Sequence, residues 1–531
     1  MAVIAAPTII QRRIVVAAGL CVVAFALIGV RLVDLTVLKG RQTGVIADTA
    51  NPLVFARGDI TDRNGQLLAR DLPVFDVYAQ PAVLADKTDA AHGLALATGV
   101  NEQRLARAFA GDHNYVLVAS QITPDAKEKV MHLGLPGLEF QTTAKRFYPE
   151  GDAAIQVLGT VQRVSGGTGT AGLERGLNAQ LVSGKPAQLS LDMRIQYVLG
   201  SELEAAREKY QAKAAGGIVI NVNTGEILAM SSKENPKAAN YNPQRNIMAA
   251  DVYELGSVFK VLTFAMAIEQ RTTRMDEYFP VGAGFKIGRF TIHDAEHMPA
   301  MMMAKDILAQ SSNAGTAQIG LRSGPERQEA FLHNMGLLTP LRTEVPEFAR
   351  AHYPDHWGQV ETATISFGHG IEVTPLSYVA AASSVVNGGR RIQPTFLKHP
   401  EDARGEQVIR PETSEQMRDL LRYVVTNGTG RSADVPGYDV GGKTGSAEKN
   451  EHGRYVAHKL LTSFCAVFPI DNPRYLVFVM LDEPHGENAM GVMALAGHTA
   501  APLAGSVIAH IAPMLEMPTS MPVPGPAKGS S

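Results

Sequence analysis

Two serines in this chain stand three residues ahead of a lysine: Ser257 and Lys260 in "GSVFK", and Ser446 and Lys449 in "SAEK". A serine hydroxyl is a weak nucleophile at neutral pH and needs a base within hydrogen-bond reach. A lysine serves as that base only where its surroundings lower its pKa. On a helix, positions i and i+3 share a face, so such a pair can meet. The spacing alone does not decide. It equally describes a serine that caps a helix beside a lysine that snorkels to solvent.

The surroundings favour the first pair. After Gly256 the residues Val258, Phe259, Val261, Leu262, Phe264, Ala265, Met266 and Ile268 are apolar on nearly every face, which predicts a helix buried in a domain centre. Lys260 then sits in its first turn, where a charged ammonium is costly. Two further clusters follow in order, "SSN" (Ser311 to Asn313) and "GGKTGS" (Gly441 to Ser446). The series Ser-x-x-Lys, Ser-x-Asn, Lys-Thr-Gly resembles the signature of serine acyltransferases of the penicillin-binding type. Ser257 is the candidate nucleophile and Lys260 its base, with a second cation at Lys443 to lower the Lys260 pKa further. Ser311 and Asn313 can relay protons and position a substrate amide. Lys443 and the hydroxyls of Thr444 and Ser446 can hold a carboxylate, and Gly445 lies between them. Backbone N–H groups of Ser257 and Ser446 are the candidate oxyanion hole.

Two other patterns carry less. "GTGTAG" (Gly167 to Gly172) matches a dinucleotide fingerprint, but no βαβ unit surrounds it, so it reads as a flexible glycine-rich surface loop. "HDAEH" (His293 to His297) matches an inverted zinc-protease pattern. A strand-like "FTI" precedes it and Pro299 follows, so the helix that would align two histidines is not expected.

The elements that must position these residues come in two blocks. "RGDITDRNGQLLARDLPVFDVYAQP" reads as strands about a tight turn, and Asp89 to Leu133 turns helical, with glycines suited to helix C-caps. Together with "AKRFYPEGDAAIQVLGTVQ" they suggest an α+β module of modest compactness. From Ala214, "GGIVINVNTGEILAM" reads as a hairpin, helices dominate from Glu254 to about Val386, and "SFCAVFPI" and "RYLVFVML" form a second hairpin about "DNPR". A last helix, "TAAPLAGSVIAHIAPML", precedes a Pro/Ser/Gly tail. The order suggests α+β architecture with an antiparallel sheet flanked by helices. No solenoid-period repeat is present.

At 531 residues the chain exceeds one compact core, and its formal net charge of −3 gives no footprint for nucleic acid. Its two cysteines, Cys21 and Cys465, make neither a plausible disulfide nor a zinc site. Ile14 to Val30 is uncharged, follows Arg12 and Arg13, and lacks a small-x-small cleavage site, so it reads as an uncleaved signal anchor. The N-terminus is then cytoplasmic, and the catalytic part lies in the periplasm, held to the inner membrane by a single pass.

The resemblance extends well past the three motifs. "RGDITDRNGQLLA", "RFYPEG", "GLERGLN", "GGIVINVNTGEILAMSS", "SFGHGIEVTPL" and "NGTGRSADVPGYDVGGKTGSAEK" resemble successive segments of the class B penicillin-binding proteins, which are membrane-anchored peptidoglycan D,D-transpeptidases. That family implies a tail over 1–13, an anchor over 14–36, a pedestal of the dimerisation type over 37–205, a transpeptidase domain over 206–515 with a serine β-lactamase-like fold, and a disordered end over 516–531. It implies that Ser257 attacks the D-Ala–D-Ala amide of a donor stem peptide and that the amine of a second stem resolves the acyl-enzyme. β-Lactams would mimic the donor, and no metal or organic cofactor is implied. No glycan-polymerising signature is found, so the family implies a SEDS-type, FtsW-like glycosyltransferase as partner, with other division proteins. The segments look more like the division-specific member than the elongation paralogue. The competing readings are the elongation-specific class B protein and, after it, a β-lactam sensor or a non-catalytic division scaffold. Two positions depart from the family: Leu255 stands where proline is usual and Ser446 where threonine is usual.

Overall fold

The structure, a computed structural model, describes Ala26 and residues 57–162, 167–238, 240–399, 405–451, 454–485 and 494–519. Apart from Ala26 the expected anchor lies outside these residues, as do the tail over 1–13 and most of 516–531. Among the described residues no helix is long and apolar enough to cross a membrane. The described residues from Arg57 onward form one compact unit.

The first half is built on a long strand. β1 (Ile60–Thr61) turns antiparallel into β2 (Leu67–Ala79), which pairs with both β3 (Val116–Ile122) and β4 (Leu138–Phe147), while β1 runs parallel to β5 (Ala187–Gln188). The "DRNG" turn is held by Asp62, whose Oδ1 accepts the N–H groups of Asn64 and Gln66, both at 2.8 Å. Helices Lys87–Thr98, Glu102–Ala110 and Pro124–His132 begin at capping side chains, Asp86, Asn101 and Thr123. They close over β2 and β3 in a core of their own around Leu94, Leu105, Phe109, Val118 and Val130. The module is therefore better packed than its sequence suggested.

Its inner half shares a core with the rest of the chain, through Ile60, Leu68, Leu173, Leu181 and Leu189. A buried charge network ties the segments there. Glu174 receives Arg57 Nε at 2.6 Å and Arg146 Nε at 2.7 Å, and Arg146 also reaches Asp71 at 3.2 Å. Removing one partner of such a network leaves an uncompensated buried charge, which costs about 3–5 kcal/mol. The glycine-rich "GTGTAG" belongs to this packing and is not a loose surface loop. A Cβ on Gly169 would stand 1.9 Å from the Glu174 carbonyl oxygen, and Gly172 has φ +58 with no room for one.

The second half contains a five-stranded antiparallel sheet, in the order β12 (Gly441–Glu451), β13 (Arg454–Phe468), β14 (Tyr475–Asp482), β6 (Ala214–Asn221), β7 (Ile227–Glu234). Both expected hairpins, β6–β7 and β13–β14, are present. Alternation along β14 assigns the faces: Leu476, Phe478 and Met480 join one core, and Val477, Val479 and Leu481 the other. The first face carries the helices Lys260–Glu269 and Pro375–Val386. The second carries Met193–Lys209 and Ala500–Met514. The expected division at 205/206 falls inside Met193–Lys209, which packs on β7. Between Glu254 and Val386 the structure adds two small ribbons to the expected helices. β8 (Tyr278–Pro280) pairs with β11 (Met301–Met303), and β9 (Phe285–Ile287) with β10 (Phe290–Ile292). Three-residue strands are too short to leave an alternation in the sequence.

Candidate active site

Gly256–Phe259 forms a 3₁₀ turn that runs straight into Lys260–Glu269, nine of whose ten residues are buried. Gly256 enters it at φ +59, where a Cβ would meet Ala447 at 2.8 Å, so only glycine lets the turn lie against β12. Its N–H donates to the Gly368 carbonyl at 3.2 Å, which brings the "SFGHG" segment alongside. The buried Tyr378 hydroxyl donates to the Val258 carbonyl at 2.8 Å and fixes the turn from below. Leu255 is 1% exposed and packs in the core.

Lys260 is fully buried. Its Nζ donates to the Ser311 carbonyl at 2.5 Å and to Asn313 Oδ1 at 2.8 Å, with Ser311 Oγ at 3.3 Å. Burial pushes its pKa well below that of an ordinary lysine, and the charge of Lys443 pushes it further, against the pull of Asp294. Lys443, also fully buried, donates to Ser311 Oγ and to the Thr444 carbonyl, both at 2.9 Å, and burial brings its pKa down to about 7. Ser311 holds φ +63, a left-handed conformation that costs a non-glycine residue about 1 kcal/mol or more.

The alternation of β12 divides the third cluster. Lys443 pairs with Cys465 and shares its face, toward the Lys260 helix. Thr444 and Ser446 leave the strand on the other face, although the Lys443 amine curls back to Thr444 Oγ1 at 3.3 Å: Thr444 Oγ1 also meets Thr429 Oγ1 at 2.6 Å, and Ser446 Oγ accepts the Ala496 N–H at 3.0 Å. At Gly445 a Cβ would stand 2.5 Å from Ser463 Oγ and 2.8 Å from the Leu255 carbonyl, so the strand passes close under the 3₁₀ turn.

The structure thus gathers Lys260, Ser311, Asn313, Lys443 and Thr444 into one hydrogen-bonded set. Ser257 stands half-buried at the start of the same helix. Lys260 Nζ is engaged by Ser311 and Asn313, and among the described residues no hydrogen bond joins it to the Ser257 hydroxyl. The second Ser-x-x-Lys pair does not form. On a strand, i and i+3 point to opposite faces, and Lys449 Nζ is held by Asp482 at 2.8 Å and Glu483 at 2.8 Å.

Four neighbours escaped the sequence reading: Asp294, Tyr378, Thr429 and His369. His293 and His297 of "HDAEH" are exposed, whereas Asp294 between them turns toward Asn313. The His369 ring packs edge-on against Tyr455 at 5.2 Å, and burial with the Lys260 charge brings its pKa down to about 4. Only the "SFGHG" string drew attention to that segment, and nothing in it marks the histidine.

With this geometry in view, residues 215–509 match the family described as the penicillin binding protein transpeptidase domain. Residues 53–188 match the penicillin-binding protein dimerisation domain. The chain is 40% identical over 484 residues to a probable peptidoglycan D,D-transpeptidase FtsI of Caulobacter vibrioides, covering 87% of this chain and 81% of that protein. It is 30% identical to a probable peptidoglycan D,D-transpeptidase PenA of Neisseria meningitidis, covering 81% of each. Among solved structures, penicillin binding protein 3 from Mycobacterium tuberculosis, complexed with aztreonam, superposes with a TM-score of 0.68 at 25% identity, over 88% of this chain and 98% of that one.

Proposed function

The chain belongs to the class B penicillin-binding proteins, peptidoglycan D,D-transpeptidases with a dimerisation module ahead of the catalytic one, and from that premise we propose that it cross-links stem peptides of the septal cell wall through an acyl-enzyme on Ser257. The observation that carries this reading is the buried amine of Lys260, deprived of solvent and facing a second cation across one hydroxyl. A lysine so placed holds its proton less firmly than one in water and is the better base for it.

In the first step Ser257 Oγ attacks the carbonyl carbon of the D-Ala–D-Ala amide while its proton passes to Lys260 Nζ. The oxyanion is met by the N–H groups of Ser257 and Ser446, preorganised by the close approach of β12 to the 3₁₀ turn. Collapse of the tetrahedral intermediate breaks the C–N bond, and the leaving amine takes a proton relayed through Ser311, so the terminal D-Ala departs neutral at nitrogen. The amine of a second stem then attacks the ester. It yields its proton to Lys260, and Ser257 leaves protonated. Lys443, with Thr444 and Thr429 beside it, holds the donor carboxylate, and Asn313 orients the amide. Lys260 is bound to Ser311 and Asn313 in the resting arrangement, and catalytic hydrogen bonds commonly tighten only with substrate present.

The relative named FtsI supports the division role over elongation, and the aztreonam complex of the structural neighbour supports a β-lactam as donor mimic. The uncharged run Ile14 to Val30 supports a single-pass anchor in the inner membrane. The lack of a glycan-polymerising signature favours a SEDS-type glycosyltransferase as partner. Labelling the membrane fraction with a fluorescent penicillin tests the core of the reading: the wild type takes label and Ser257→Ala does not. Equal labelling of the two proteins would refute it.

A further inference from the structure

Asp294 follows β10 in the exposed "HDAEH" stretch, yet its carboxylate is spent entirely on the turn that carries Ser311 and Asn313. Oδ2 accepts the Ser312 hydroxyl at 2.7 Å, and Oδ1 accepts the backbone N–H of Asn313 in a short bond and that of Ala314 at 3.2 Å. The Ser312 hydroxyl in turn accepts the Gly315 N–H at 3.0 Å. The first N–H groups of the helix Asn313–Ser323 are thus shared between the two side chains, and a negative charge there is favoured by the helix dipole.

One residue upstream is the left-handed Ser311, whose carbonyl and hydroxyl receive Lys260 and Lys443. Such a conformation persists only where its surroundings over-determine it. The bonds of Asp294 begin at the next residue and so fix the direction in which Ser311 presents both oxygens. Two charged groups act on the Lys260 amine, Lys443 from β12 and Asp294 from the β10–β11 connection, and the amine itself bears on His369 from the segment after Ser366. Of these Asp294 alone is anionic.

We propose that Asp294 is a positioning residue for the acyl-transfer site: by clamping the Ser312–Ala314 turn it holds Ser311 and Asn313 against the amine of Lys260. This rests on the acyl-transfer reading above. The clamp links a loop without periodic sequence signal to the centre of the site, across 18 to 20 residues of chain.

The test is the rate of acylation by a fluorescent penicillin, measured against pH, with melting curves for each protein. Asp294→Asn keeps the shape and an acceptor for the backbone N–H groups but loses the charge. Its acylation is expected to slow by roughly 10- to 100-fold, the scale of a small misplacement of reacting groups. Its ascending limb should move to lower pH, because one attraction holding the proton on Lys260 is gone. Ser312→Ala keeps the charge, so it should slow acylation with the limb in place. A labelled wild type alongside an Asp294→Asn protein with unchanged rate and limb overturns the positioning role alone. So does a slowed Asp294→Asn protein with an unmoved limb, or one without a cooperative melting transition, since the residue would then serve the fold at large. A wild type that takes no label sinks the acyl-transfer reading and this role with it.

Discussion

Lys260 and Lys443 converge on a single hydroxyl, that of Ser311, at 3.3 and 2.9 Å, from a helix and a strand that share no sequence neighbourhood. Two buried amines so close cannot both stay protonated at modest cost. Lys260 is pushed toward its neutral form both by burial and by the charge of its neighbour, against the pull of Asp294. Lys443, at about 7, retains one into the neutral range. The division of labour proposed here, a neutral base beside a cationic anchor, follows from that difference.

The pH profile of acylation should therefore be bell-shaped. It rises as Lys260 loses its proton and falls near pH 7 as the free enzyme's Lys443 loses its own and with it the attraction for a carboxylate. Lys443→Arg keeps the positive charge at every accessible pH. In that variant the descending limb should disappear up to pH 9 even where the larger head group lowers the maximum rate. A descending limb that survives at pH 7 would show that another group sets it.

Lys443 also makes stability depend on pH. Its folded pKa of about 7 lies below the ordinary 10.5, so between those values the unfolded chain binds the extra proton. The penalty of burying the charge is complete below pH 7, shrinks as pH rises, and is gone above 10.5. Lys443→Met should therefore melt higher than the wild type at pH 6, by a margin that narrows steadily toward pH 10. A margin independent of pH would mean that the amine is solvated in the folded protein.

What the sequence made legible was whatever is periodic or local. The all-round apolar run after Gly256 announced a buried helix, and the alternating runs around "NVNTGE" and "DNPR" announced two hairpins of one sheet. The strand Gly441–Glu451 is what separates Ser446 from Lys449, since i and i+3 meet on a helix and part on a strand, and the spacing of the pair does not carry that difference. The rest depends on contacts between distant segments. Asp294 bonds a turn 18 residues on, Tyr378 reaches back 120 residues to Val258, and Arg57 finds Glu174 across 117. None of these leaves a trace in spacing. The left-handed Ser311 is likewise invisible, because serine carries no preference for that conformation. In "HDAEH" the histidines stand exposed, and the residue bonded into the fold is the aspartate between them.

Leu255 shows how a departure from the family's usual proline is accommodated. Its φ of −80 lies within proline's range, but its side chain is buried in the main core, so packing holds the residue where a ring would otherwise do so. Leu255→Ala removes that packing and should cost about 2–5 kcal/mol of stability, the range for a buried leucine. Leu255→Pro should keep acylation within about threefold, as a change that leaves the backbone path and the reacting groups in place. Urea melts and acylation rates decide it. An alanine variant as stable as the wild type would show that the turn is held from elsewhere.

The lysine of the unused pair supplies the last prediction. Lys449 bridges Asp482 and Glu483, and Asp482 is 6% exposed. Burial already raises the Asp482 pKa, and Lys449 is the main force opposing it. Lys449→Met leaves that carboxylate without its cation, so its pKa should climb further, and the fold should lose about 3 kcal/mol at pH 7. A carboxyl whose folded pKa is raised binds its proton more readily in the folded than in the unfolded chain, so its contribution is greatest at low pH and is lost as pH rises through the folded pKa. The defect of Lys449→Met should accordingly shrink between pH 7 and pH 4, and penicillin labelling of the folded protein should match the wild type throughout. Loss of labelling in a variant that still melts cooperatively would return Lys449 to the chemistry from which the strand geometry removes it.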